Sequence, residues 1–211
     1  MTQAQALSRD VVPAVRVVPH FLLWLAGLAP PQTQTSDAER DCLAKHAAGK
    51  RRLVEIGVWH GVTTARLRAA MAPDAVLYAV DPFPAGRARV SVQRVIAHRQ
   101  VGTSTNGTVE WVRLTGGEAG RRHEAAGRTP VDFVFIDGDH AYDVAREDWE
   151  AWSPLVVPGG IVALHDSHPT MARPIHDAGS VRFTEEHVLG DPRFRVVEVV
   201  DTLTVLQRIV A

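Results

Sequence analysis

The sequence predicts an α/β fold built on a mostly parallel sheet that ends in an antiparallel hairpin. Apolar strand patterns alternate with helical patterns five times along the chain, an order that is typical of parallel sheets. A glycine turn at residues 57–61 joins the first strand to its helix. Near the C-terminus, two β-rich runs are separated only by Asp201 and Thr202, which predicts a hairpin. The 211 residues are enough to bury the core of one domain.

The first 35 residues are predicted to form an extension or lid segment, and residues 36–211 the main domain. Within the extension, residues 20–28 predict a short apolar helix that packs on the domain or roofs its cleft. Pro13 and Pro19 break the surrounding apolar run, which is less than the roughly 18 uninterrupted apolar residues of a membrane span. We therefore expect neither a membrane helix nor a signal peptide.

The helix predicted at residues 37–48 has the clearest boundaries. Ser36 caps its first turn, Glu39 completes a capping box, and Gly49 ends it. Each later strand is a short apolar run between polar or glycine turns, and each later helix is a longer amphipathic segment; a tight turn is predicted at 158–160. In chain order the strands are predicted at 53–56, 75–80, 109–114, 131–136, 161–164, 194–199 and 203–209, and the later helices at 62–71, 87–100, a short segment after 118, 141–152 and 180–189.

Charge and cysteine content exclude several classes of function. The net charge of −1 and the pI of about 6.8 give no basic footprint for nucleic acid or an anionic membrane, so we expect neither as a partner. The single cysteine, Cys42, excludes an internal disulfide framework and a cysteine zinc cluster. These features are consistent with a cytoplasmic protein.

The turn at residues 57–61 predicts a cofactor site. A strand, a glycine turn and a helix N-terminus together form a seat for a ligand at the carboxyl edge of a parallel sheet. Glu55 precedes the turn and favours a cationic ligand over a pyrophosphate, and the second glycine of the dinucleotide motif is missing, which disfavours a nicotinamide oxidoreductase. Asp81 ends the second strand, 24 residues after Gly57. That spacing is typical of a ribose-binding carboxylate, so the pair indicates a nucleoside-containing cofactor.

Carboxylates and histidines also follow the fourth and fifth strands. Since neighbouring parallel strands end at one edge, Asp137 and Asp166 are expected to lie close enough to share a divalent cation, because two facing carboxylates otherwise repel. An oxygen-rich, hydrated site favours Mg²⁺. A softer metal on His165 and His168 is the alternative. Asp139 and His140 complete this group of polar residues.

Four motifs, at residues 54–64, 80–83, 135–142 and 159–167, occur in an order that resembles the class I S-adenosylmethionine-dependent methyltransferases. The resemblance is to small bacterial O-methyltransferases of the macrocin and catechol type and covers about residues 36–209. It implies a Rossmann-like, seven-stranded sheet with helices on both faces.

The resemblance also implies a set of cofactor contacts. Glu55 and Gly57 would meet the methionine part of S-adenosylmethionine, Asp81 would hold the ribose, and the loop at 115–118 would edge the adenine. The full predicted set is Glu55, Gly57, Trp59, Gly61, Thr63, Asp81, Thr115, Gly116, Glu118 and Asp137.

The same resemblance implies a metal site and a general base. Asp137 and Asp166 are the implied ligands of Mg²⁺ or another divalent cation. Ser167 stands where relatives often have asparagine or an acid, and it is the poorer third ligand. His140 is the implied base, because a histidine with its ordinary pKa near 6.5 can take a hydroxyl proton at neutral pH, and Asp139 would orient it. A vicinal diol of a sugar, catechol or natural product would chelate such a metal, so we expect a small-molecule acceptor.

Three alternatives remain at this level: a helix-capping role for His140, another reaction on the same scaffold as in cephalosporin hydroxylases, and a non-catalytic S-adenosylmethionine-binding module. Acceptor identity is expected to depend on residues 1–35 and on a lid at 169–191, where Arg173, His176 and Arg182 could meet a polar acceptor. Relatives are commonly dimers or larger, so a homo-oligomer is a further expectation, with the apolar N-terminal segment as a possible interface.

Overall fold

The computed structural model of the chain describes residues 14–86 and 89–209. Seven strands form a single sheet: β1 (Arg52–Ile56), β2 (Val76–Val80), β3 (Thr108–Val112), β4 (Val131–Ile136), β5 (Val156–Leu164), β6 (Phe194–Val200) and β7 (Leu203–Arg208). Their spatial order is β3-β2-β1-β4-β5-β7-β6. Strands β1 to β5 are parallel, and β7 pairs antiparallel with both β5 and β6. This confirms the predicted sheet and its C-terminal hairpin.

Helices cover both faces of the sheet, and alternate strand residues therefore enter two separate cores. Val54 of β1 packs in one core with Trp149, whereas the neighbouring Leu53 packs in the other with Leu43 and Leu67. Burial on both faces is what a parallel sheet requires. The helices are α1 (Ala14–Leu25), α2 (Asp37–Ala47), α3 (Val62–Ala70), α4 (Val92–Val101), α5 (Gly116–Ala125), α6 (Tyr142–Trp152) and α7 (Gly179–Phe183), with a 3₁₀ turn at Ser153–Leu155 and a π-helical turn at Thr184–Val188.

Three predicted boundaries are wrong for identifiable reasons. Helix α1 extends through Pro19, because one proline removes a single backbone hydrogen bond and does not always end a helix. Helix α4 begins after Ser91, whose Oγ accepts from the Arg94 amide, whereas residues 87–88 of the predicted helix lie outside the described part. Residues 158–160 belong to β5, whose register against β4 shifts between Val131 and Phe133 as at a β-bulge.

None of the helices in the described ranges has the length and apolar character needed to cross a membrane. The division of the chain at residue 35 stays a prediction.

Candidate active site

A cavity of about 550 Å³ opens at the carboxyl ends of β1, β2 and β4. This is the edge at which open parallel sheets bind ligands. The extension contributes one wall of the cavity through Val17 and His20 of α1 and residues 32–34 of the following linker. Of the helix predicted at residues 20–28, only His20 lines the cavity, and the role of the extension as a lid stays a prediction.

The glycine turn after β1 is shaped by its closeness to β4. Gly57 has φ of +90°, and a Cβ at this position would overlap the backbone carbonyl oxygen of Asp137 and lie 2.6 Å from its carbonyl carbon. Gly61, with φ of +74°, is the N-cap of α3. Only glycine adopts such conformations without strain, so the chain can pass close under any ligand in the cavity.

Asp81 holds this turn in place. Its Oδ2 accepts from the amides of Val58 at 3.1 Å and Trp59 at 3.0 Å, and its Oδ1 accepts from the amide of Phe83 at 2.7 Å. A carboxylate offers about four acceptor positions, so Asp81 retains acceptor capacity. Asp81 and Trp59 both line the cavity.

Glu55 lies beneath the turn and is absent from the cavity lining. Its side chain is 1% exposed, and neither carboxylate oxygen has a hydrogen-bond partner among the described residues. Burial raises the pKa of Glu55 well above its usual value; the neighbouring Thr64 hydroxyl opposes this shift, and the charges of Asp137 and Asp81 add to it. The structure thus places Glu55 as a buried support of the turn, without the predicted direct access to a ligand.

Only part of the loop at 115–118, which is predicted to contact the adenine, lines the cavity. Thr115 and Gly116 line the cavity, whereas the Glu118 carboxylate accepts from the amide of Thr115 at 3.1 Å and from its hydroxyl at 2.9 Å. Glu118 is therefore occupied as the capping box of α5. Thr63 lines the opposite side, with its Oγ1 3.2 Å from that of Thr35 in the linker.

At the ends of β4 and β5, a buried histidine lies among carboxylates. The Nδ1 of His165 is 2.8 Å from Asp137 Oδ1 and 3.7 Å from Asp166 Oδ1, and its Nε2 is 3.4 Å from Glu39 Oε2. Burial alone would lower the pKa of His165, but Asp137, Glu39 and Asp166 outweigh it and raise the pKa to about 10. The carboxylates of Asp137, Asp166 and Glu39 therefore surround the protonated ring of His165.

His140 lines the cavity beside this cluster. Its Nε2 lies 3.3 Å from Asp166 Oδ2, whereas Asp139 Oδ1 accepts from the amide of Ala141 at 2.9 Å. The His140 ring therefore faces the Asp166 carboxylate, whereas Oδ1 of Asp139 accepts a hydrogen bond in the turn at the start of α6. The orienting role of Asp139 stays a prediction.

A family model described as a methyltransferase domain (Methyltransf_24) matches residues 54–167. The chain belongs to this methyltransferase family. It is a class I methyltransferase, the S-adenosylmethionine-dependent class that the sequence motifs indicated.

Solved structures of low sequence identity share the fold of this methyltransferase. The O-methyltransferase of Bacillus cereus in complex with SAH is 18% identical with a TM-score of 0.62, and the match covers 94% of each chain. TomG of Streptomyces achromogenes, an O-methyltransferase of tomaymycin synthesis, is 18% identical with a TM-score of 0.63 over 96% of this chain and 92% of TomG. An rRNA methylase of Streptococcus thermophilus is 16% identical with a TM-score of 0.56 over 84% and 99%. At these identities the likeness concerns the fold alone.

The predicted metal ligands of the methyltransferase do not form an open oxygen cage. Asp166 Oδ2 is 2.6 Å from Arg173 Nη2, and Asp137 is paired with His165. The Oγ of Ser167 donates to the backbone carbonyl of Leu164 at 2.8 Å and accepts from the Thr204 amide, which removes it as a ligand. In the described ranges, the only metal-like cluster of histidine, cysteine and carboxylate atoms lies elsewhere, at Cys42, His46 and Glu198. The residues at 137, 166 and 167 therefore do not fit a divalent cation.

Several residues of the cavity were not found from the sequence. His60 is stacked on His20, with ring centroids 5.3 Å apart, and its Nδ1 accepts from the Gln32 amide at 3.0 Å. Burial, aided by the charge of His20, lowers the pKa of His60 to about 4, so the ring is neutral, as an acceptor at Nδ1 requires. Asp148 of α6 also enters the lining. His60 lies within the motif at 54–64, but nothing in that pattern distinguishes it from its neighbours. No motif covers His20, Gln32 or Asp148, which reach the cavity only through the tertiary fold.

The His165 cluster predicts a pH dependence of stability. The folded-state pKa of about 10 exceeds the ordinary 6.5, so the stabilisation is complete below pH 6.5 and is lost as the pH rises from 6.5 towards 10. We expect the difference in unfolding free energy between the wild type and His165→Gln to shrink steadily over that window. Urea unfolding of both proteins at several pH values measures it, and a difference that is constant or grows with pH would contradict the assignment.

Proposed function

We propose that this methyltransferase transfers the methyl group of S-adenosylmethionine to a hydroxyl group of a small molecule, with His140 as the general base. The observation that carries the proposal is the single cavity that joins the Gly57 turn and Asp81 to His140. Its volume of about 550 Å³ lies within the usual range for small-ligand sites, and both a cofactor and an acceptor have to share it.

The cofactor is best accommodated along the ends of β1 and β2. The Gly57 turn allows backbone contact with the methionine part, and the remaining acceptor capacity of Asp81 suits the ribose hydroxyls. Thr115 and Gly116 mark the adenine end. Asp148 lies beside them, and it is so close that a Cβ added to Gly116 would overlap its Oδ1. We assign this carboxyl group to the exocyclic amine of adenine, which is a hydrogen-bond donor.

The acceptor is best accommodated beside His140, beneath residues 32–34. Residues 32–34 line the cavity, and an enclosed site favours a small molecule over a polymer. The net charge of −1 agrees with this, because nucleic-acid-binding domains are usually basic. A sugar, a catechol or a related natural product is the proposed substrate class, as the family resemblance implies. A homo-oligomer and a cytoplasmic location stay expectations from the sequence.

The reaction is an in-line displacement. A bond forms between the acceptor oxygen and the methyl carbon, the sulfur–methyl bond breaks, and the sulfonium charge is lost as the hydroxyl proton passes to His140. Holding the two reactants in line can supply roughly 7–11 kcal/mol of the barrier. Asp166 faces Nε2 of His140 at 3.3 Å, which favours a proton there and leaves Nδ1 as the acceptor atom. Because residues 137, 166 and 167 do not fit a metal, no step depends on one.

Calorimetric titration with S-adenosylmethionine, followed by a labelled-methyl assay over sugar and catechol acceptors, tests the proposal. We expect Asp81→Ala to weaken binding at least about tenfold, since hydrogen bonds to a charged group contribute about 1.5–3 kcal/mol. His140→Gln should bind the cofactor normally but transfer the methyl group about 10²–10⁴ times more slowly.

Asp74→Ala, a change at a surface carboxylate outside the cavity, is the matched control and should leave both readouts unchanged. Thermal unfolding shows whether Asp81→Ala keeps its fold, since Asp81 also holds the glycine turn. A wild-type protein that binds no S-adenosylmethionine overturns the proposed function. Binding without any transfer supports a non-catalytic module, an altered substrate instead of a methylated one supports a hydroxylase-like reaction, and full activity in His140→Gln overturns the base.

A further inference from the structure

We propose that the guanidinium of Arg173 occupies the place that the sequence motifs assign to a divalent cation, so that methyl transfer by this protein is independent of metal. The inference rests on the proposed function and concerns the same site. It makes Arg173 a positioning residue, which acts through Asp166 on His140.

The first argument is the occupation of one oxygen of each carboxylate. The other oxygen of Asp166, Oδ1, is buried without a hydrogen-bond partner among the described residues and lies 3.7 Å from His165 Nδ1. Asp166 Oδ2 lies 2.6 Å from Arg173 Nη2 and 3.3 Å from His140 Nε2. On the other side, Asp137 Oδ1 lies 2.8 Å from His165 Nδ1. Mg²⁺ needs near-octahedral oxygen ligands at 2.0–2.1 Å and usually keeps several waters. Asp166 is 2% exposed, so such a hydrated ion has no room beside it unless Arg173 leaves.

The second argument is charge. A guanidinium remains protonated at every pH that a protein survives, so Arg173 competes with a metal under all working conditions. A dication at this edge would stand next to Arg173, whose guanidinium already neutralises Asp166 at 2.6 Å. Two positive charges that share one buried carboxylate repel each other strongly, because the low dielectric of the interior screens them poorly.

The third argument is connectivity. Arg173 belongs to the segment between β5 and α7, and its Nη1 donates to the backbone carbonyl of Gln34 at 3.2 Å, with Nη2 3.4 Å from Gln34 Oε1. Gln34 lines the cavity. One cation therefore joins the linker that lines the cavity to the carboxylate that faces His140, a task for which the planar, multi-donor guanidinium is well suited.

The test uses Mn²⁺ as a probe and needs no acceptor. Free Mn²⁺ is followed by electron paramagnetic resonance during titration of the full chain, with and without S-adenosylhomocysteine. We expect no stoichiometric site in the wild type or in Arg173→Lys, which keeps the charge. Arg173→Gln, which removes the guanidinium beside Asp166, and His165→Asp, which replaces the ring that faces Asp137, should each bind Mn²⁺ at least about tenfold more tightly than the wild type. Arg182→Gln, which removes an exposed arginine of the neighbouring helix, should behave as the wild type.

A tight wild-type Mn²⁺ site that Asp166→Asn abolishes would overturn the inference, as would Arg173→Gln and His165→Asp variants that fold but gain no affinity. Circular dichroism checks the fold of each variant. Because Arg173→Gln and His165→Asp are independent, the test still decides the question if one of them does not fold. Cofactor binding is measured on the same samples. Loss of S-adenosylmethionine binding in the wild type would reject the proposed function, whereas the Mn²⁺ result decides the role of Arg173 separately. Once an acceptor is found, chelation of metals should leave the wild-type rate unchanged.

Discussion

Gly57→Ala is expected to destabilise the protein by about 3 kcal/mol or more and to abolish cofactor binding. The added Cβ would overlap the carbonyl oxygen of Asp137 in the adjacent strand, and this neighbour is backbone that cannot turn aside. Left-handed φ costs a residue with a Cβ about 1–2 kcal/mol, and overpacking adds about 1–3 kcal/mol. Urea unfolding measures the stability, and calorimetry with S-adenosylmethionine measures the binding.

Gly127→Ala is the matched control for this substitution. Gly127 also has a positive φ, of +62°, but a Cβ there would meet no atom within 4 Å. We expect it to lose only the conformational part, about 1–2 kcal/mol, with normal cofactor binding. Equal losses for the two alanine variants would show that contact between the turn and β4 does not restrict Gly57.

Glu39→Ala is expected to cost about 3–5 kcal/mol of stability, as does the removal of one partner from a buried ion pair. Glu39 is 2% exposed. Its Oε2 accepts from the Ser36 amide at 2.7 Å and faces His165, while its Oε1 accepts from the amide and the hydroxyl of Thr202. Although burial opposes ionisation, these partners lower the pKa of Glu39 to about 2. Thermal and urea unfolding measure the loss.

Glu118→Ala provides a control with the same local motif. Glu118 completes the capping box of α5 as Glu39 completes that of α2, but it is exposed and has no buried cation beside it. Its replacement should change stability little. If both substitutions had the same small effect on the free energy of unfolding, Glu39 would be only a helix cap, and its contact with His165 would not stabilise the protein.

Much of the site could be predicted from local patterns. The Gly57 turn and Asp81 were recognisable because strand ends, glycines and their spacing are local features. The structure brings them to the same cavity as His140, as neighbouring parallel strands require. The capping box at Ser36 and Glu39 was equally readable, since it spans only one helical turn.

The chemistry of the carboxylates could not be predicted in this way. The sequence predicts that Asp137 and Asp166 bind a shared metal, because two facing acids need a positive charge. The structure places His165 beside Asp137 and Arg173 beside Asp166, and it places Asp166 3.3 Å from the His140 ring.

The sequence by itself determined the order of strands and helices, the parallel sheet with its hairpin, and the edge at which the chemistry gathers. Each of these follows from periodicity and turn residues within a few positions of one another. Only the tertiary structure decided which charges neutralise one another and what closes the cavity. Glu39 meets a strand end 126 residues later, at His165, and Arg173 meets Gln34 of the linker. Such partners are selected by packing of the whole chain, because electrostatic pairing depends on distance in space and leaves no pattern along the sequence.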